Sequence, residues 1–165
     1  MPLGYTIDEV ISAGLQDMLV ARLNTVVEED NAVYDDAYPM PLFEDGRIID
    51  YYLPLEDLMS KVKAMPAVSY FMVNSTSDIR TSRLLELHAH RFLCGVFTSG
   101  QNGSTLVKRY KASFVRTIEE NFDEIAPCIK RARISSARYY VPARFNATDY
   151  WMVELILEVH SEVRK

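Results

Sequence analysis

The chain has 165 residues, 48% hydrophobic and 25% charged, the size and balance of one ordinary domain with its own core. Eighteen Lys and Arg against 23 Asp and Glu leave a formal charge of -5, so the surface as a whole is not the basic footprint that phosphate backbones require. No run approaches the ~20 apolar residues of a membrane span, Met1 to Asp8 lack the basic and apolar regions of a signal peptide, and Cys94 and Cys128 are expected as reduced thiols.

In chain order, Thr6 followed by Glu9 fits a capping box, in which the hydroxyl accepts an orphan N–H and the carboxylate reaches back. Ile7, Ile11, Leu15, Leu19, Leu23 and Val27 then recur every four residues, predicting a helix over Ile7 to Glu29. Pro39, Pro41 and Pro54 forbid regular helix over Asp30 to Pro54. Asp45-Gly46, set between Leu42-Phe43 and Ile48-Ile49, is a hairpin-turn signal. Residues 30–54 therefore read as an extended arm or hairpin within a single domain spanning 1–165. Tyr38, Met40, Leu42, Phe43, Ile48, Ile49, Tyr51 and Tyr52 are too many apolar groups for a solvated loop. Tyr and Met are favoured at interfaces, so these eight are the candidate interface residues; burial in the domain's own core is the alternative.

Pro54 opens a short predicted helix, Leu55 to Ala64, and Ala67 to Val73 is strand-like. Arg83 to Thr98 reads as a long strand, with Leu85, Leu87, Ala89, Leu93 and Phe97 on one face and Glu86, His88, His90 and Phe92 on the other. A helix capped by Ser104 or Thr105 runs to about Glu124, with Val107, Tyr110, Phe114, Ile118 and Phe122 as its apolar stripe. The last third is a hairpin, Ile129 to Val141 and Tyr150 to Val163, whose second strand turns Trp151, Val153, Leu155, Leu157 and Val159 to one side. The fold class is α+β: an antiparallel sheet with a long N-terminal helix and a second long helix packed on one side, plus the arm.

Three patterns invite chemistry. Glu86-x-His88-x-His90 puts three metal-type ligands on one strand face, but a polar face in water produces the same spacing, and no fourth ligand is apparent. No metal, cofactor or catalytic residue is therefore assigned. Lys130, Arg131, Arg133, Arg138 and Arg144, with Tyr139 and Tyr140, could neutralise phosphates and stack on bases. Cross-strand pairing is the simpler reading: a turn near Phe145 and Asn146 sets Arg133 opposite Glu158, Arg131 near His160 and Lys130 near Glu162. Gly100 to Thr105 precedes a helix but lacks the Gly-Lys-Ser/Thr ending of a phosphate loop.

The order of these elements resembles a known family. A long N-terminal helix leads into an extended segment, then a strand (Leu84 to Phe97), a helix (Ser104 to Glu124) and a closing hairpin that carries Trp151 and ends in alternating apolar residues through Val163. The pattern is similar to that of the tail-terminator and tail-completion (neck) proteins of long-tailed bacteriophages, over most of the chain. The resemblance implies a non-enzymatic virion protein, assembled in the host cytoplasm into a ring, commonly a hexamer. Such a ring would end the tail tube, meet the connector of the head and let DNA pass through its lumen without sequence reading. The alternatives are another head–tail connector (a stopper or adaptor), a small metal-dependent hydrolase using Glu86, His88 and His90, and a nucleic-acid-binding module using Lys130 to Arg144.

Overall fold

The computed structural model describes residues 6–51, 65–82 and 85–164, without the side chains of 78–82. Tyr52 and the expected helix Leu55 to Ala64 lie outside the described residues. In chain order the elements are helix α1 (Ile7–Tyr34), β1 (Ile48–Ile49), β2 (Ala67–Ser82), β3 (Leu85–Ser99), helix α2 (Gly103–Asn121) with a one-turn 3-10 extension, β4 (Ile129–Tyr139), β5 (Ala143–Phe145) and β6 (Thr148–Arg164). The sheet order is β1-β2-β3-β6-β4, with β5 beside the start of β6. All neighbours are antiparallel except β1 on β2, so the sheet is mixed.

Both helices cover one face: α1 lies over β1 and β2, and α2 over β3, β6 and β4. The core between the layers is where the apolar stripes meet. Ile11, Leu15, Leu19 and Leu23 of α1 and Tyr110, Phe114 and Ile118 of α2 are buried against Val153, Leu155, Leu157 and Val159 of β6. Trp151 is partly buried at the edge of this cluster.

The capping box forms: Glu9 N–H donates to Thr6 Oγ1 and Thr6 N–H donates to Glu9 at 2.7 Å. The hydrogen bonds to Thr6 hold the Glu9 carboxyl below its ordinary pKa. At its other end α1 runs five residues beyond Glu29, past the last apolar repeat. Acidic residues around that end are held from α2: Arg116 pairs with Glu29 and Asp30 in the turn before the last, and Arg109 with Asp36 just beyond the helix.

The arm follows a different course from the expected one. Asp45-Gly46 does turn, with Gly46 at φ 75°, but its flanks do not pair as a hairpin. Ile48 and Ile49 pair instead with Val68 and Ser69 of β2, in parallel. Upstream, the arm is clipped to α1 by amide side chains. Asn31 brackets Met40, donating to its carbonyl at 2.9 Å and accepting its N–H at 2.8 Å. Asn24 does the same for Phe43, and Gln16 donates to the Ile48 carbonyl. Met40, Phe43 and Ile49 are consequently buried in the chain's own cores, and Ile48 is half-buried. These four of the eight candidates thus pack within their own chain, the alternative that the sequence left open. Tyr38, Leu42 and Tyr51 remain exposed.

β3 also turns the unexpected face inward. Phe92, Cys94 and Val96 are fully buried beneath the helices, and His90 with them; Leu87 is exposed on the far side. Both faces of this strand carry apolar residues, so alternation alone is ambiguous. Register decides: Cys94 lies between Tyr70 and Leu155, and Val96 between Val68 and Val153, completing apolar rows across the sheet.

Candidate functional site

Glu86, His88 and His90 share one face of β3, as spacing required. Contrary to expectation, that face is not a polar one in water. His90 is wholly buried, its Nε2 3.0 Å from the Ser161 hydroxyl and its Nδ1 3.2 Å from that of Ser75. Asp8, in the first turn of α1, places Oδ1 2.9 Å from the same Nδ1, out of hydrogen-bond alignment. Burial pushes the His90 pKa down, and the Asp8 carboxylate offsets this in part. His88 stacks on His90 with ring centres 5.9 Å apart and reaches Glu86 at 3.3 Å, while His160 lies on the opposite face of the sheet. Among the described residues, no three His, Cys, Asp or Glu side chains are grouped to hold a metal ion.

The basic residues of the closing hairpin pair across strands much as expected. Arg133 is opposite Glu158, and Arg131 is opposite His160. Glu158 sits between Arg133 at 2.8 Å and Arg91 at 3.0 Å, which hold its carboxyl below its ordinary pKa. Lys130 departs from expectation: it is the extra residue of a bulge between Ile129 and Arg131, and Cys128 accepts the Glu162 N–H in its place. Arg138 lies 5.0 Å over the Tyr140 ring. On the uncovered sheet face, the small Ala89 leaves a shallow depression of about 560 Å³ between Leu87, Arg131, His160 and Glu162.

The Gly100 segment is a turn feeding α2, which begins at Gly103 with Asn102 as its cap, not Ser104 or Thr105. Packing sets that start: a Cβ at Gly103 would collide with the Trp151 ring. Cys94 is buried and its thiol pushed far up by burial; Cys128 is half-buried and also raised, and both are free thiols.

No family model and no curated protein matches the chain. Among solved structures it is similar to a chain described as "Virion of native gene transfer agent (GTA) particle". The two are 14% identical, over 92% of this chain and 94% of that one, with a TM-score of 0.43.

Among the charged groups on its surface, the arrangement also presents apolar side chains outward. Val33 at 80% exposed, Tyr34, Tyr38, Leu42 and Tyr51 lie on the end of α1 and the arm. Arg109 stiffens this region by lying 4.1 Å over the Tyr34 ring and donating to the Tyr38 carbonyl. A second exposed group, Tyr139, Val141 at 88% and Phe145, lies at the β4–β5 end of the closing hairpin. Sequence reasoning found the first group in part, through the arm. It does not single out the second: Val141 reads as the end of a strand and Phe145 as part of the turn, and the structure shows both exposed beside the hairpin tip at Asn146 and Ala147. No helix of the described residues is long and apolar enough to cross a membrane.

Proposed function

We propose that this protein is a structural subunit of a phage-type virion, a neck or tail-terminator protein that assembles as a ring at the head-proximal end of the tail. The observation that carries the reading is the exposed apolar group on α1 and the arm, Val33, Tyr34, Tyr38, Leu42 and Tyr51, held on a backbone clipped by Asn24 and Asn31. Rigid aromatic and aliphatic side chains on an ordered surface are the anchors of protein interfaces. The order of elements, a long helix, an extended segment, strands, a second helix and a closing hairpin, supports the same reading through its resemblance to the neck proteins of long-tailed phages. In this reading the ring ends the tail tube, meets the head connector and lets DNA pass, and no catalytic step is assigned to it. Buried His90 and Cys94 then serve packing, not chemistry.

Light scattering with negative-stain microscopy of the purified chain tests this, alone and mixed with the tail tubes of its own particle. Closed rings, alone or seated on tube ends, are expected. A protein that stays monomeric at high concentration and leaves tube ends bare overturns the reading.

A further inference from the structure

Charge is distributed unevenly along this fold. Residues 6–51, which build α1, the arm and β1, hold eleven Asp and Glu against Arg22 and Arg47 alone. Residues 129–145, which build β4 and β5, hold Lys130, Arg131, Arg133, Arg138 and Arg144 and no acid. The sheet order puts β1 at one lateral edge and β4 at the other, with α2 packed between α1 and β4. One flank of the domain is therefore acidic and the other basic.

Internal pairing cancels only part of this: Arg116 and Arg109 take up Glu29, Asp30 and Asp36, and Arg47 pairs with Glu44. On the acidic flank, Asp17 and Glu28 carry no ion pair among the described residues. They are eleven residues apart, three turns of helix, so they share the outer face of α1 with exposed Val20. On the basic flank, Lys130 and Arg131 likewise carry none, and Arg144 is largely exposed with a loose 3.7 Å contact to Asp149. Exposed large apolar groups gather on the same two flanks: Val20, Tyr34 and Leu42 on one, Tyr139, Val141 and Phe145 on the other.

Opposite flanks with opposite charge and apolar groups on both are what a head-to-tail contact between unlike patches requires. Repeated by rotation, such a contact closes a ring. We propose that copies of this chain associate side by side, the basic β4–β5 flank of one copy seated on the acidic α1 and arm flank of the next. Apolar groups supply the adhesion, and charge sets the register and suppresses like-to-like pairing. The occupant of each flank is thus a second copy of the chain. This rests on the ring reading above and names the two surfaces that make it.

Two reversed variants test the pairing. One is Lys130→Glu with Arg131→Glu and Arg144→Glu; the other is Asp17→Lys with Glu28→Lys. All five side chains lie outside the core, and circular dichroism checks the fold of each variant. Each variant alone should self-associate at least tenfold more weakly than the parent chain by sedimentation. An equimolar mixture should recover assembly, because each reversed flank then meets a reversed partner. Mutual rescue is a result that damage to the fold cannot produce. If the parent forms rings and neither variant weakens them, or both weaken without rescue in the mixture, the flank pairing is overturned while the ring reading stands. If the parent never self-associates, alone or on tube ends, the ring reading and this pairing fall together.

Discussion

Truncating Phe43 should separate the folding role of the arm from its surface role. The ring is 5% exposed, sits between α1 and α2, and meets Tyr110 edge-on with centres 5.3 Å apart. Phe43→Ala removes that contact and leaves a cavity beneath a backbone still clipped by Asn24. A buried Phe→Ala change costs about 3–5 kcal/mol, which is a fifth or more of the roughly 5–15 kcal/mol that holds a typical domain folded. For a chain of this length, with about 2–4 °C per kcal/mol, the melting temperature should fall by about 6–20 °C. The neighbouring Leu42, 40% exposed, is the control: Leu42→Ala should stay within about 1 kcal/mol of the parent while weakening self-association. Urea titration with a shared slope, together with light scattering, reads both. A loss below about 1 kcal/mol at Phe43, or an equal loss at Leu42, would refute the placement of the arm within the chain's own core.

Gly103→Ala should push the Trp151 ring out of its seat at a cost of about 1–3 kcal/mol; Trp151 is the only tryptophan, so its emission reports the displacement directly, and an unchanged spectrum counts against the contact. Stability should decline on acidification below about pH 6.5, the ordinary His value. Burial lowers the His90 pKa, so the unfolded chain takes up that proton first and is favoured as the pH falls; the loss levels off below the folded value. A His90→Asn variant should show a flatter profile between pH 7 and 5, and a slope equal to the parent's would remove His90 as its source. Cys94 should resist alkylation in the native protein and react in denaturant, with Cys128 intermediate; rapid labelling of Cys94 under native conditions would contradict its burial.

Local rules acting over a few residues were legible in the sequence. The capping box at Thr6 and Glu9, the four-residue repeat of α1, the stripe of α2 and the alternation of β6 each depend on neighbours one to four positions away, and each sits where its pattern put it. The pairing of Arg133 with Glu158, expected from a turn near Phe145 and Asn146, does form, but not by simple counting: the turn lies one residue later, at Asn146 and Ala147, and one extra residue between Tyr139 and Ala143 and another at Ser135 restore the register. Counting failed at Lys130, where the bulge inserts one residue. The arm and the inward face of β3 needed the tertiary structure. Gln16, Asn24 and Asn31 recur at spacings of eight and seven, which puts them on one side of α1, yet nothing local says that polar amides there bracket the backbone of residues 40, 43 and 48. Composition could say that Met40, Phe43 and Ile49 must leave water; only the packed helices, for the first two, and β2 and β3, for Ile49, decide that they do so within their own chain. β3 had apolar residues on both sides, and the rows completed by β2 and β6 chose between them. The segregation of charge to opposite flanks has the same origin: acidic and basic stretches are visible in the sequence, but β1 and β4 become opposite edges only once β2, β3 and β6 pair between them.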